Sequence, residues 1–209
     1  MPGQRAIAVT LALLSGVAAA GELQTVTLQL KWKHQFQFAG YYVAQELGYY
    51  REAGLDVRFL EAEPAVEPIE AVLSGTAQYG VGTSDLLLYR AKGRPVVVLG
   101  VVFQHSPLAL VALQSAGISN VHQLAGKRVM IEPHSAELLA FLRREGLPLT
   151  RVTQQVHSFD VADLLEGRTD AMSVYSTDEP WALETAGQPF FSMTPRTAGI
   201  DFYGDNLFT

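Results

Sequence analysis

Four short stretches of this sequence bring aromatic, amide and carboxylate side chains together: Trp32 to Phe38, Gly82 to Asp85, Gln104 to Pro107 and Tyr175 to Pro180. Aromatic faces stack on flat rings, and amides and carboxylates hydrogen-bond to ring substituents, so these groups suit the capture of a small planar heterocycle. Trp32-Lys33-His34-Gln35-Phe36-Gln37 is too aromatic for an ordinary solvent loop and too polar for a core. The competing account is that Trp32 and Phe36 merely cover a sheet edge. Asp85 opens a helix, where its carboxylate either satisfies free N–H groups of its own first turn or, if Ser84 takes that role, accepts from an amino group on a ligand. Glu179 poses the same choice in the second half of the chain.

No constellation for bond-making chemistry accompanies these groups. His34, His105, His122, His134 and His157 lack a zinc spacing, no H-E-x-x-H is present, and Pro133 between Glu132 and His134 marks a turn rather than a ligand helix. G-x-S-x-G is absent, and adjacency of His105 to Ser106 does not make a triad. Gly80-Val81-Gly82-Thr83-Ser84 lacks both the Walker lysine and the third dinucleotide glycine. Lys31 and Lys33 are candidates for a Schiff base, or simply strand-end lysines. The reading is therefore non-enzymatic, with no catalytic, metal or cofactor-binding residue assigned and no cofactor expected.

The elements must hold the four loops at one edge. Val26, Leu28 and Leu30 alternate with Thr27, Gln29 and Lys31, which predicts a strand. From Phe38, the helical lines Phe38, Tyr42, Gln45, Tyr49 and Tyr41, Ala44, Leu47 predict a helix. A strand at Leu55 to Leu60 follows, then a loop from Glu61 to Pro68, a helix turning Ile69, Val72 and Leu73 inward, a short strand at Tyr79 to Val81 and a helix from Leu86 to Lys92. The apolar run Val96 to Phe103 predicts a strand buried on both faces. Such alternation is the signature of a parallel sheet flanked by helices.

Gln104 to Pro107 breaks the rhythm, and Ala109 to Leu113 opens a second lobe of the same style. Its strands are predicted at Lys127–Ile131, Val152–Val156, Asp170–Tyr175 and Phe190–Met193. Helices fall at Val121–Leu124, capped by Asn120, at Ser135–Glu145, burying Leu138, Leu139 and Leu142, at Val161–Glu166, capped by Asp160, and at Trp181–Ala186 behind Pro180. Ligands of open α/β sheets collect outside the carboxyl ends of strands, where the four loops fall.

Residues 1–20 read as a secretory signal peptide, with Arg5, an apolar Ile7 to Leu14 and a small-residue exit at Val17 to Ala20, which places the mature chain in the periplasm. A retained anchor is the rival, but the apolar stretch is short for a span. The remainder divides into lobe one at 21–105, lobe two at 106–199 and a return toward lobe one at 200–209. That short return leaves the C-terminal completion of lobe one missing, whether the product stops early or belongs to a longer protein. A formal charge of −6, or −7 without Arg5, and no basic run argue against nucleic acid as a partner. The absence of cysteine rules out a disulfide framework, and 48% hydrophobic residues support a substantial core.

The stretches LKWKHQFQFAGYYVAQELGYYREAGLDV, YGVGTSDLLLYRAKG, VFQHSPLALVA, LAGKRV, GRTDAMSVYSTDEPW and GIDFYGDNLF resemble the NMT1/THI5-like (SsuA/THI5-like) branch of the type II periplasmic binding proteins, from about Val26 to Phe208. The resemblance implies a two-lobed α/β protein, each lobe a mainly parallel sheet flanked by helices, that closes on its ligand. It implies a carrier of a thiamine pyrimidine precursor working with an ABC permease, or else a sensing input domain fused to a transmembrane signalling module, a histidine kinase or cyclic-dinucleotide enzyme. In the family's pyrimidine binders aromatic residues sandwich the ring and an acid meets its amino group. By position, Trp32, Phe38 and Tyr42 are the first-lobe candidates with Ser84 and Asp85 beside them, Gln104 lies near the crossover, and Tyr175 and Glu179 come from the opposite lobe. The pyridoxal-phosphate-binding pyrimidine synthases of the superfamily carry a cysteine-rich iron site; this sequence has no cysteine and reads GVVFQHSPLA there. A third reading is a spacer module whose cleft is filled by its own side chains.

Overall fold

In the computed structural model, residues 22–62 and 66–209 are described. The signal-peptide expectation lies outside them. Alternation sets the first strand, β1 (Gln24–Gln29), which buries Val26 and Leu28, with Leu30 just beyond its end. The aromatic loop then winds through a single 3-10 turn at Phe36–Phe38 into α1 (Ala39–Glu46) and α2 (Tyr49–Glu52). The expected continuous helix is broken at Gly48, whose φ of +80° suits a residue without a Cβ and resets the helical phase. As a result Tyr50 rather than Tyr49 packs on the core and Tyr49 is exposed; Leu47, before the break, is exposed as well.

The chain continues through β2 (Leu55–Leu60), α3 (Pro68–Leu73), β3 (Tyr79–Gly82), α4 (Leu86–Ala91) and β4 (Val98–Phe103). It next forms β5 (Leu108–Leu113), β6 (Arg128–Met130), α5 (Ala136–Arg144), β7 (Thr153–Gln155), α6 (Ala162–Leu165), β8 (Ala171–Tyr175), α7 (Glu179–Thr185) and β9 (Phe190–Met193). β10 (Gly204–Phe208) closes it. On α5 the buried face is Glu137, Leu138, Phe141 and Leu142, so Leu139 lies off the core and a carboxylate lies in it.

Two five-stranded sheets result, ordered β2-β1-β3-β10-β4 and β7-β6-β8-β5-β9. Each contains a single strand running against the rest: β10 is antiparallel to β3 and β4, and β5 to β8 and β9. The cause is topological. Parallel strands of both sheets end at the seam between the lobes, so a strand entered by crossing that seam must run away from it. β5 follows the first crossover and β10 the second. Gly80 and Gly82 of β3 make room for Phe208 of β10: a Cβ on Gly80 would lie 2.5 Å from the fully buried Phe208 ring. β4 corrects the expectation for Val96 to Phe103. It is an edge strand, and Val97, Val98, Leu99 and Val102 are exposed, because β10 occupies the interior position of the sheet.

Candidate ligand cleft

The loops after β1, β3, β6, β7 and β8 all emerge at the carboxyl ends of parallel strands and meet between the lobes. Lys31, two residues beyond β1, donates from its ammonium to the Tyr175 hydroxyl at the end of β8 and lies 3.3 Å from Asp205 Oδ1. The Tyr175 hydroxyl in turn donates to Asp205 Oδ1 at 3.0 Å. Beside this chain, Trp32 of lobe one meets Phe159 of lobe two edge to face, ring centres 4.2 Å apart.

A second line of contacts joins β3 to α5. Thr83 Oγ1 donates to the His134 carbonyl at 3.0 Å. Asp85 does not cap its own helix; its Oδ1 accepts from Ala136 N at 3.0 Å, the first residue of α5 in the opposite lobe. A carboxylate there satisfies an otherwise free N–H and complements the helix dipole. His134 bridges the same seam, with Nδ1 3.6 Å from Asp85 Oδ2 and Nε2 3.6 Å from Glu67 Oε1. Contact with the Asp85 carboxylate raises the His134 pKa above its ordinary value, against the effect of burial.

Acidity dominates the interior of the seam. Burial pushes Glu132 up to about 7, with Lys31 opposing and Glu179, Asp205 and Glu137 reinforcing the rise. Burial likewise raises Glu137, although Ser106 Oγ donates to its Oε1, and it raises Glu179, whose Oε2 accepts from Tyr175 N at 2.9 Å. The Tyr175 hydroxyl is held well above its usual range by burial and then by Asp205. Five buried polar atoms around these groups have no partner within the described residues: the Tyr41 hydroxyl, which feels the Asp205 charge, Ser84 Oγ, Ser135 Oγ, Glu137 Oε2 and Asp205 Oδ2. Native interiors leave few such atoms unpaired.

Of the expected site residues, Trp32, Ser84, Asp85, Tyr175 and Glu179 lie at this seam. Phe38 does not: at 0% exposure it sits among Val26, Leu28, Leu30, Val57 and Val81 in the core of lobe one. Tyr42 packs on Phe59 with its hydroxyl against His34, and Gln104 is exposed on the crossover. Sequence reasoning missed Glu132, Glu137, Phe159 and Asp205 as site residues and read Lys31 as a candidate Schiff base or simply a strand-end lysine. Lys31, Glu132 and Phe159 share one available signal, a position just past the carboxyl end of a strand. Glu137 carries another, a glutamate on the apolar face of an amphipathic helix. The seam is filled by Lys31 and Tyr175. A hollow of about 380 Å³ lined by Ser106, Pro107, Ser176, Thr194, Arg196 and Thr197 opens beside the crossover.

Two mixed sheets facing each other across their strand ends and joined by two crossovers define the two-lobed type II solute-binding architecture. A protein of Bordetella bronchiseptica shares the fold at a TM-score of 0.72 and 20% identity, over 90% of this chain and 64% of its own. The alkanesulfonate-binding protein SsuA of Xanthomonas axonopodis pv. citri shares it at 0.65 and 18%, over 91% and 66%. The chain belongs to the NMT1/THI5-like family, whose profile matches residues 35–209. It is 31% identical over 173 residues to the riboflavin-binding protein RibY of Chloroflexus aurantiacus, covering 79% of this chain and 49% of that protein. To the formylaminopyrimidine-binding protein of Halalkalibacterium halodurans it is 27% identical over 193 residues, 88% and 57% of the two. A 105-residue stretch, 50% of this chain and 33% of the relative, is 35% identical to the 4-amino-5-hydroxymethyl-2-methylpyrimidine phosphate synthase of Legionella pneumophila. The chain thus spans about half the length of RibY. Among the described residues no group of three or more His, Asp or Glu side chains is placed to hold a metal ion, and no helix is long and apolar enough to cross a membrane.

Proposed function

We propose that this chain is the ligand-capturing part of a periplasmic solute-binding protein that delivers a small planar heterocycle, an aminopyrimidine of the thiamine-precursor kind, to an ABC permease. The observation that carries the reading is the set of buried, unpartnered polar atoms, the Tyr41 hydroxyl, Ser84 Oγ, Ser135 Oγ, Glu137 Oε2 and Asp205 Oδ2, at a seam flanked by Trp32 and Phe159. A filled seam alone would suit the spacer reading, but a permanently sealed interface pairs its polar groups. Relatives named for binding riboflavin and formylaminopyrimidine support a flat nitrogen heterocycle.

The partial likeness to a pyrimidine phosphate synthase supports a second reading, in which Lys31 or Lys33 carries pyridoxal phosphate. Lys31 is already engaged with Tyr175 and Asp205, which weighs against it. Isothermal titration with aminopyrimidines and flavins tests the proposal. Saturable binding near micromolar, about −8 kcal/mol, is the expected result; no saturable heat with any member of the panel overturns it. A pyridoxal phosphate absorption band retained after gel filtration supports the second reading instead.

A further inference from the structure

Resting on the seam as a ligand site, we infer that the group it recognises is a cation bearing several N–H donors, of the amidinium or protonated aminoheterocycle class, and that the Lys31 ammonium is its tethered stand-in. Charge is the first ground. Glu132, Glu137, Glu179 and Asp205 all lie within electrostatic reach of Lys31, so four acidic groups share one ammonium, with Glu132 part protonated near neutral pH. An anionic head group would meet that field unfavourably, and a cation would be drawn into it.

The second ground is independent of net charge. Asp205 is 1% exposed and Glu137 4%, yet Asp205 Oδ2 and Glu137 Oε2 have no donor. A carboxylate oxygen accepts and cannot donate, so each is open to an N–H or O–H; the buried Tyr41 hydroxyl, which feels the Asp205 charge, is likewise unpaired and does not reach it in this arrangement. Lys31 shows what fits there. Its ammonium donates to the Tyr175 hydroxyl, lies 3.3 Å from Asp205 Oδ1 and stands 4.0 Å from the centre of the Tyr175 ring. A flexible lysine stem can withdraw, and a planar cation taking its place would satisfy the same acceptors and add the two that are open.

Benzamidine, benzamide and benzoate share a ring and a size while carrying charges of about +1, 0 and −1 near neutral pH. Titrated by calorimetry into the unmodified chain at low salt, benzamidine is expected to bind at least tenfold more tightly than benzamide, and benzoate not at all. In Asp205→Asn and in Glu137→Gln, with melting curves confirming folded protein, the benzamidine advantage should shrink to within twofold. Asparagine suits the first substitution because it tolerates the φ of +47° at position 205. In Lys31→Met, with its competing ammonium removed, benzamidine should bind more tightly. Equal affinity for the three compounds, or preference for benzoate, overturns the inference while leaving the seam a binding site. Binding of a neutral heterocycle without benzamidine does the same. If neither this series nor any aminopyrimidine or flavin binds, the inference and the functional proposal fall together.

Discussion

Asp85 begins α4 but serves another helix, and that choice sets the first expectation. Asp85→Ala removes the cap from α5 and one of the ties across the seam, which should cost about 1 kcal/mol, or a fall of roughly 2–4 °C in Tm for a chain of this size. Amide exchange at Ala136 should quicken. Glu132 gives a pH-dependent test. A carboxyl whose folded pKa lies above its unfolded value is still protonated in the folded protein where the unfolded chain has ionised. Its presence therefore lowers stability progressively as pH rises from its ordinary 4.5 to about 7, and no further above that. Glu132→Gln should gain on the parent across that window, by on the order of 3 kcal/mol once it is complete, as urea melts at successive pH values would show. Phe38→Ala should behave as a core deletion, losing about 3–5 kcal/mol with ligand affinity unchanged in the folded fraction. Sequence alone could not separate Phe38 from Trp32, because both follow a strand within one aromatic loop. Only the 3-10 turn at Phe36–Phe38 decides that one ring enters the core and the other the seam.

At the scale of elements, β3 and β10 are fitted to each other through a missing side chain. Gly80→Ala would place its methyl carbon 2.5 Å from Phe208, against a ring with no free space, and should destabilise by about 1–3 kcal/mol; thermal melts of the folded variant check it. The glycines of the Gly80 to Gly82 segment thus answer to packing rather than to phosphate binding. Strand and helix alternation was legible because its signals are local: β2, α3, β3 and α4 fall where periodicity and turn residues place them. What was not legible depends on partners distant in sequence. Val96 to Phe103 has the composition of a fully buried strand, yet whether both faces are covered depends on β10, about a hundred residues later. Gly48 was in view as a residue, but its positive φ, and hence the phase shift from Tyr49 to Tyr50, follows from the turn it adopts.

The whole molecule is two sheets joined by the segments between β4 and β5 and between β9 and β10. Ser106 on the first of these joins Glu137, and Asp205, just after the second, joins Tyr175 and Lys31, so the connecting strands carry groups of the seam itself. Relative movement of the lobes would therefore be felt at the charges that face a ligand. The late position of β10 has a kinetic consequence as well. Lobe two is continuous from Leu108 to Met193, whereas sheet one waits for a strand made after all of it. A nascent or refolding chain can complete the later half before the earlier one, since joining Asn206 to Gly82 closes a long loop. The two tryptophans, Trp32 and Trp181, stand one in each half. In single-tryptophan variants diluted from denaturant, fluorescence from Trp181 should settle first and that from Trp32 last.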